Sequence, residues 1–158
     1  MAQSTLALVA GVLDGSSGEV DALLGPEVVF AVAGGVARDF RREDVIAAAS
    51  NIEDLAIGEW DSRVRGAVED GPDAGRTAVT VKVRGGITME FPATTSWIIS
   101  WRREASGRWR AERLECIELM GKPPDSRFLE QSMRVSRRRG APLGEGGMKI
   151  VPRRAPGP

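Results

Sequence analysis

The stretch that decides the fold is Ile87–Met120, ITMEFPATTSWIISWRREASGRWRAERLECIELM. Apolar and polar residues alternate along Glu90–Arg103 and again along Trp109–Met120, which is the period of a β-strand. The intervening Ala105–Gly107 carries a turn signal. The stretch therefore predicts two long adjoining strands that bear three of the four tryptophans.

The same alternation extends upstream through Leu55–Asp70 and Thr77–Arg84. A Gly-Pro-Asp turn at residues 71–73 separates these two segments, and Gly85-Gly86 is typical of a two-residue hairpin loop. The pattern predicts a meander of four consecutive strands. On the first strand it places three apolar residues on one face: Trp60, Val64 and Val68.

The first third of the chain predicts helices around one short strand. Ser4 and Ser16 are candidate N-caps of two helices, Glu27–Ala33 is an apolar strand, and Asp39 is a candidate cap for a helix over Phe40–Asp54. Helices followed by a strand meander indicate an α+β protein. We expect one curved antiparallel sheet wrapped around N-terminal helices, with a basic C-terminal tail.

Composition excludes several classes of protein. The chain has 158 residues, which suits one domain, and its single cysteine, Cys116, allows no intrachain disulfide. No apolar run approaches the length of a membrane span, and we expect a cytoplasmic protein. Histidine and tyrosine are absent. This absence removes Ser-His-Asp and Cys-His catalysis and His-ligated metals, and we expect no cofactor.

The zero net charge is a cancellation between two segments. Residues 1–121 carry 13 Lys+Arg and 19 Asp+Glu, whereas residues 122–158 carry 9 and 3. We therefore predict an acidic domain over 1–121 and a basic tail over 122–158 that forms a short helix and then an extended segment.

The element order, together with two segments, resembles the nuclear transport factor two-like superfamily, which includes SnoaL-like polyketide cyclases and ketosteroid isomerases. The segments are VARDFRREDVIAA (36–48) and TTSWIISWRREASGRWRAERLECIEL (94–119). The resemblance covers about residues 4–120 and implies a cystatin-like cone that closes a cavity against the concave face of the sheet. Members of this superfamily include enzymes, small-molecule binders and modules that dimerise through the sheet.

The catalytic residues of these enzymes do not carry over. Ketosteroid isomerases place an Asp base at the end of the first strand, where this chain has Phe30–Ala33 with no acid. The Asp–Arg–Asp set of limonene epoxide hydrolases is also missing, because Leu114 follows Arg113. The sequence therefore favours a non-catalytic role.

Two carboxylates remain as weak catalytic candidates, Glu90 and Glu115. Burial of either in an apolar pocket would raise its pKa and make it a usable acid or base. The alternative is that both are solvent-facing charges or cross-strand ion pairs. Alternation predicts that Glu115 and Glu118 face opposite ways, and Cys116 between them is expected to be a buried, inert thiol.

The tryptophans allow two interpretations. Trp60, Trp97 and Trp101 could form the walls of a pocket for a small hydrophobic ligand. Alternatively they belong to the core or to a homodimer face on the sheet.

The tail carries a candidate partner-binding segment. Its basic and apolar residues of interest are Arg137, Arg138, Arg139, Met148, Ile150, Val151, Arg153 and Arg154. Nucleic acid is disfavoured, because the tail lacks interleaved aromatics and the body is acidic. We predict docking on an acidic protein partner or a neighbouring subunit, by addition to a sheet edge or insertion into a groove. The alternative is a solubilising extension.

These observations leave two hypotheses for the function. The first is a non-catalytic binding or assembly module that forms a homodimer through its sheet and docks through its tail. The second is a SnoaL-like isomerase, cyclase or hydrolase that acts on a small hydrophobic substrate in the cone.

Overall fold

The computed structural model describes residues 1–32, 35–37, 40–50, 57–85 and 93–124. This part of the chain contains three helices and six strands. The helices are α1 (Ala2–Leu13), α2 (Ser17–Leu23) and α3 (Arg42–Ser50). The strands are β1 (Leu24–Val32), β2 (Gly35–Val36), β3 (Ile57–Gly71), β4 (Ala74–Gly85), β5 (Ala93–Arg103) and β6 (Trp109–Leu119). Among the helices described, none is long and apolar enough to cross a membrane.

The strands form one curved, open sheet in the order β2-β1-β6-β5-β4-β3. This confirms the predicted α+β class and the meander of β3 to β6. The sheet is mixed rather than wholly antiparallel, because β1 runs parallel to β6. Strand β2, which the sequence did not predict, pairs with the end of β1 at Ala31 and Val32.

The connection between β4 and β5 differs from the predicted hairpin. Val83 pairs with Ala93, so nine residues, 84–92, separate the paired positions. Gly85 extends β4 and pairs with Ile57 on β3 instead of forming a two-residue loop. Residues 86–92, including Glu90, lie outside the described part of the chain.

A β-bulge changes the side-chain pattern of β3. The register shifts between Val64 and Gly66, so Val68 pairs with Arg76 and is 54% exposed. The prediction that Val68 shares a face with Trp60 and Val64 is therefore wrong, because an extra residue reverses the alternation beyond it.

The core fills the space between the helices and the concave face of the sheet. Its largest members from the strands are Leu24, Phe30, Ile99, Trp101 and Leu114. The helices contribute their own buried residues: Leu8, Val20, Val45 and Ala49. All three helices contact the sheet from this side, so no described helix covers the convex face.

The chain reverses directly after β6. Met120 and Gly121 have φ values of 55° and 81°, and Leu119 and Lys122 exchange two backbone hydrogen bonds of 2.7 and 3.1 Å. Positive φ at both central positions defines a type I′ turn. Met120 donates to Thr94 on β5, so the neighbouring Leu119 presents its backbone groups to the opposite edge of β6. The turn therefore places Lys122 on the side of β6 that faces β1.

Candidate functional site

The concave face is the surface that any cavity in the cone would use. Residues directly opposite one another on paired strands share a face of the sheet. Ile99 and Trp101 are buried and therefore concave, and the strand register identifies the concave residues of the neighbouring strands. Between the strand ends, this face carries one described carboxylate, the exposed Glu69, which pairs with Gly75 near the β3–β4 turn. The other described residues there are apolar or carry a hydroxyl or thiol, and they include Phe30, Val32, Trp60, Ser62, Val64, Thr77, Val79, Val81, Val83, Thr95, Trp97, Ile99, Trp101, Leu114 and Cys116.

Glu115 lies on the other side of the sheet. It pairs with Ile98 on β5 and Ala31 on β1, both of which face away from the core. Its carboxylate accepts a hydrogen bond of 3.3 Å from Arg113, and its side chain is 20% exposed. The interpretation of Glu115 as a cavity-facing acid is therefore not supported, because Leu114 and Cys116 take the inward positions.

A second bulge places Glu118 on the same face. Trp97 pairs with Cys116 but Ser96 pairs with Glu118, so Ile117 is an extra residue between them. Glu115 and Glu118 consequently both face outward, contrary to the expectation from simple alternation. The other candidate acid, Glu90, lies outside the described residues.

Trp101 belongs to the core rather than to a pocket wall. Its side chain is 1% exposed, and its indole N–H donates to Thr77 Oγ1 at 2.9 Å. The Thr77 and Thr5 hydroxyls lie 2.6 Å apart, and Thr5 donates to the Met1 carbonyl at 3.0 Å. Because the Thr5 proton is committed to Met1, Thr77 donates to Thr5. A continuous chain of hydrogen bonds therefore joins β5, β4 and α1.

Trp97 and Trp60 remain available to line a pocket. Both are half-buried and face the concave side near the end of the sheet where β4 connects to β5. The Trp97 indole donates to Thr95 at 2.9 Å, and the Trp60 indole donates to Asp14 at the end of α1 at 3.2 Å. Their polar atoms are satisfied, so each presents its apolar ring to any ligand.

Cys116 has the environment expected of an inert thiol. It is fully buried, and desolvation raises its pKa above the ordinary value for a cysteine. A raised pKa keeps the thiol protonated and unreactive at neutral pH. Within the described part of the chain, no cluster of three or more Asp, Glu, Cys or His residues could hold a metal ion.

The convex surface, here called the outer sheet face, has a centre of small and aliphatic side chains. These are Val29, Ala31, Ala78, Thr80, Ser96, Ile98 and Ser100. Ion pairs lie among and around them: Arg113–Glu115, Arg102–Glu112 and Arg76–Asp70. The Arg76 guanidinium hydrogen bond lowers the pKa of Asp70, so this pair stays ionised well into the acid range.

A groove lies beside β1, where α3 begins. Pro26–Phe30, Val36, Ala37 and Phe40–Glu43 enclose an open volume of about 400 Å³. Phe30 and Phe40 pack edge to face at 4.7 Å between ring centroids and form its floor. We call it the β1-edge groove. The sequence did not predict it, because it depends on how α3 approaches the sheet edge.

Contacts at the start of α3 involve Arg42 and the residue before it, Arg41. Arg42 donates to the Asp21 carboxylate at 2.5 Å and to the Asp21 carbonyl at 2.8 Å, which ties α3 to α2. The Asp44 carboxylate accepts a 2.7 Å hydrogen bond from the Arg41 N–H, so Asp44 caps the helix. The proposed cap, Asp39, lies outside the described residues.

Comparison with solved structures places this fold among known proteins. The chain is similar to a ketosteroid isomerase-like protein from Erwinia carotovora atroseptica, with 14% identity, a TM-score of 0.56, and coverage of 72% of this chain and 89% of that one. It is also similar to a candidate calcium/calmodulin-dependent protein kinase type II association domain from Thiobacillus denitrificans (16%, TM-score 0.55, 77% and 93%). A third match is an LEH-like epoxide hydrolase from Mycobacterium tuberculosis (14%, TM-score 0.51, 73% and 75%).

The chain thus has the nuclear transport factor two-like fold, as the sequence resemblance implied. No protein-family model and no curated protein sequence matches it. Enzymes and non-catalytic proteins share this fold. The fold alone therefore does not distinguish the two classes, and the residues of the site must do so.

Proposed function

We propose that this protein is a non-catalytic binding and assembly module that forms a homodimer through its outer sheet face. The observation that carries the proposal is the centre of that face, which no described helix covers and where Ala78 pairs with Ile98. Glu115 lies between Ile98 and Ala31, and Ala31 is only 2% exposed. A sheet with aliphatic side chains on both faces gains stability when a second layer covers the open one.

The size of the face suits a dimer. Strands β1, β6, β5 and β4 together span about 19 Å at a spacing of about 4.8 Å, and the eleven residues of β5 extend about 36 Å. The resulting area is roughly 700 Å², close to the ~800 Å² per partner of a standard stable interface.

The charges on the face are self-complementary. Arg113 and Glu115 lie side by side on β6 near the middle of the sheet. A two-fold axis brings the same patch of two chains together, so each Arg113 meets the Glu115 of its mate. An interface of this kind preserves the Arg113–Glu115 pair of each chain.

Three observations support a non-catalytic role. The one described carboxylate on the concave strands, Glu69, is exposed near the β3–β4 turn, Glu115 faces outward, and the thiol of Cys116 is buried. We further propose a cytoplasmic location, because the one cysteine suits a reducing compartment. The basic tail over 122–158 then docks an acidic partner or a neighbouring subunit.

Light scattering on the full chain tests the dimer. We expect twice the chain mass of 16.9 kDa for the natural sequence. Ala78→Arg should raise the dissociation constant at least about 100-fold, because it places two unpaired charges in the interface. Val68→Arg is the matched control, since Val68 lies on the same face near the outer hairpin.

A monomer at all concentrations, or equal effects of the two arginine variants, would contradict the proposal. The exchange Arg113→Glu with Glu115→Arg should retain the dimer, whereas Arg113→Glu alone should dissociate it. Charge complementarity, rather than either residue alone, is what this pair of variants measures.

A second candidate function is binding, or conversion, of a small hydrophobic substrate in the cone. The half-buried rings of Trp60 and Trp97 at the less buried end of the concave face favour it. An enzyme of this kind would depend on Glu90 rather than Glu115, because Glu115 lies on the outer face.

A further inference from the structure

Strand β1 has an open edge along Pro26–Val29. β2 pairs with β1 only at Ala31 and Val32, and the Ala37 N–H reaches the Phe30 carbonyl at 2.8 Å. Backbone groups alternate between the two edges of a strand, so Val28 presents its N–H and C=O on the same edge as Phe30. Among the described strands, none pairs with Val28 on that edge.

The β1-edge groove runs along this open stretch. Its apolar lining includes Val28 and Phe40, and its charged lining residues are two acids, Glu27 and Glu43, and two arginines, Arg41 and Arg42. The groove therefore suits an extended segment with apolar side chains, which would add to β1 as a strand.

The turn after β6 directs the tail towards this edge. Lys122 lies on the side of β6 that faces β1, and the described chain ends two residues later at Pro124. Val29 pairs with Arg113, which lies six positions before Leu119 on β6. The open edge is therefore about 20 Å along the sheet from the turn after β6.

The tail contains a segment of matching length and chemistry. Met148–Val151 has four residues, as does Pro26–Val29, and its apolar side chains are interrupted only by Lys149. Pro152 follows the segment, and a proline ends strand pairing because it has no N–H to donate. Random-coil scaling gives an end-to-end distance of about 24–29 Å for a stretch of 23 residues, the number in 125–147, which is enough to reach the edge.

We propose that Met148–Val151 adds to the β1 edge of its own chain as an extra strand, with Met148 and Ile150 against the groove. The inference rests on the proposed function and deepens it, because it names where the docking tail lies when no partner holds it. A linker of this length gives the segment a millimolar effective concentration, which favours the same chain over a second copy.

The second groove of similar size is a poorer site for the tail. It lies between α1, α2 and the β5–β6 turn, encloses about 410 Å³, and is lined by Leu23, Arg108 and Trp109. It offers no open strand edge, which the segment needs in order to add as a strand.

Paired cysteines in the full chain test the proposal. Glu27→Cys with Lys149→Cys should form an intrachain disulfide under mild oxidation at least about ten-fold faster than Asp61→Cys with Lys149→Cys. Asp61 is an exposed acid on β3, the opposite edge of the sheet, so the control loses the same charge. Cys116 stays in place because it is fully buried, and the single variants show whether it contributes.

Equal rates for the two pairs would overturn the proposal, and so would a 27–149 disulfide that joins two chains. Adding Ile150→Asp to the first pair should abolish the rate advantage, because a carboxylate is excluded from the apolar floor; an unchanged advantage would overturn the proposed contact. Light scattering reports separately on the proposed function. A monomer with a fast intrachain disulfide refutes the dimer and keeps this inference, whereas a dimer without the preference refutes this inference alone.

Discussion

Trp101, Thr77 and Thr5 show how this core accommodates polar atoms. The hydrogen bonds run from the indole through two hydroxyls to the Met1 carbonyl, and every donor in the chain has an acceptor. Buried polar groups are tolerated when they are fully paired and costly when one partner is removed. The chain of bonds therefore fixes α1 against the middle of the sheet.

Replacing Thr77 by Val tests this arrangement. The change keeps the shape of the side chain but leaves the Trp101 N–H without its acceptor, and we expect the free energy of unfolding to fall by about 1–3 kcal/mol. Urea denaturation followed by tryptophan fluorescence measures it. Thr80→Val on the outer sheet face is the control and should change stability by less than about 0.5 kcal/mol. Equal losses for both variants would mean that the buried bonds add nothing.

Sequence reasoning at this scale succeeded where alternation is unbroken and failed beyond bulges. Trp97, Ile99 and Trp101 share the concave face, as predicted. Val68 and Glu118 do not follow the predicted pattern, because a single extra residue upstream reverses it. The position of a bulge depends on pairing between strands, which local sequence does not encode.

Among the elements, the β3–β4 hairpin has two glycines in contrasting surroundings. A Cβ at Gly75 would lie 2.8 Å from the Val68 carbonyl oxygen and would also meet the Met1 side chain. A Cβ at Gly66, on the neighbouring strand, has nothing within 4 Å. The first glycine allows α1 to approach the sheet closely, whereas the second has no such role.

We therefore expect opposite effects of the same substitution. Gly75→Ala should lower the free energy of unfolding by about 1–3 kcal/mol through overpacking against backbone. Gly66→Ala should be neutral or add up to about 1 kcal/mol, because it reduces the entropy of the unfolded chain. Thermal unfolding of the two variants compares them directly, and a stable Gly75→Ala protein would show that α1 can shift without cost.

The elements also separate what local pattern encodes from what it does not. The four strands of the meander and the three helices follow from periodicity. The predicted cap Ser4 is wrong, because α1 begins at Ala2, and Ser16 precedes α2 without a side-chain cap bond. The parallel β1–β6 pair, the short β2 and the β1-edge groove do not follow from periodicity, because each requires the two ends of the chain to meet. The hydrophobic pattern of a segment reports its own secondary structure and does not show which distant segment it pairs with.

In the whole molecule, the two faces of the sheet have different compositions. The concave face holds the core and, near Trp60 and Trp97, rings that are only half-buried. The outer face holds small side chains and ion pairs. This division leaves both proposed functions compatible with one fold, because assembly and ligand binding use opposite sides.

Ligand binding in the cone is testable with an apolar fluorescent probe. If Trp97 lines a cavity, the full chain should bind 1-anilinonaphthalene-8-sulfonate, and Trp97→Ala should weaken binding about ten-fold through loss of ring contact. Trp109→Ala is the control, because Trp109 is half-buried beside the groove between α1, α2 and the β5–β6 turn. Equal weakening by both variants would place the probe outside the cone. Near-ultraviolet circular dichroism verifies that each variant keeps its packing.

The parallel pairing of β1 with β6 has a consequence for biosynthesis. Leu24 and Val29 find their partners about 85 positions later, at Ala111 and Arg113. A ribosome that has released the helices and β1 still holds the strand that completes their sheet. The early segment must therefore wait, with its apolar side chains unprotected, until nearly the whole domain has emerged, and contacts of such long range make the final closure slow. We therefore expect the nascent chain to expose this segment to chaperones until β6 has emerged.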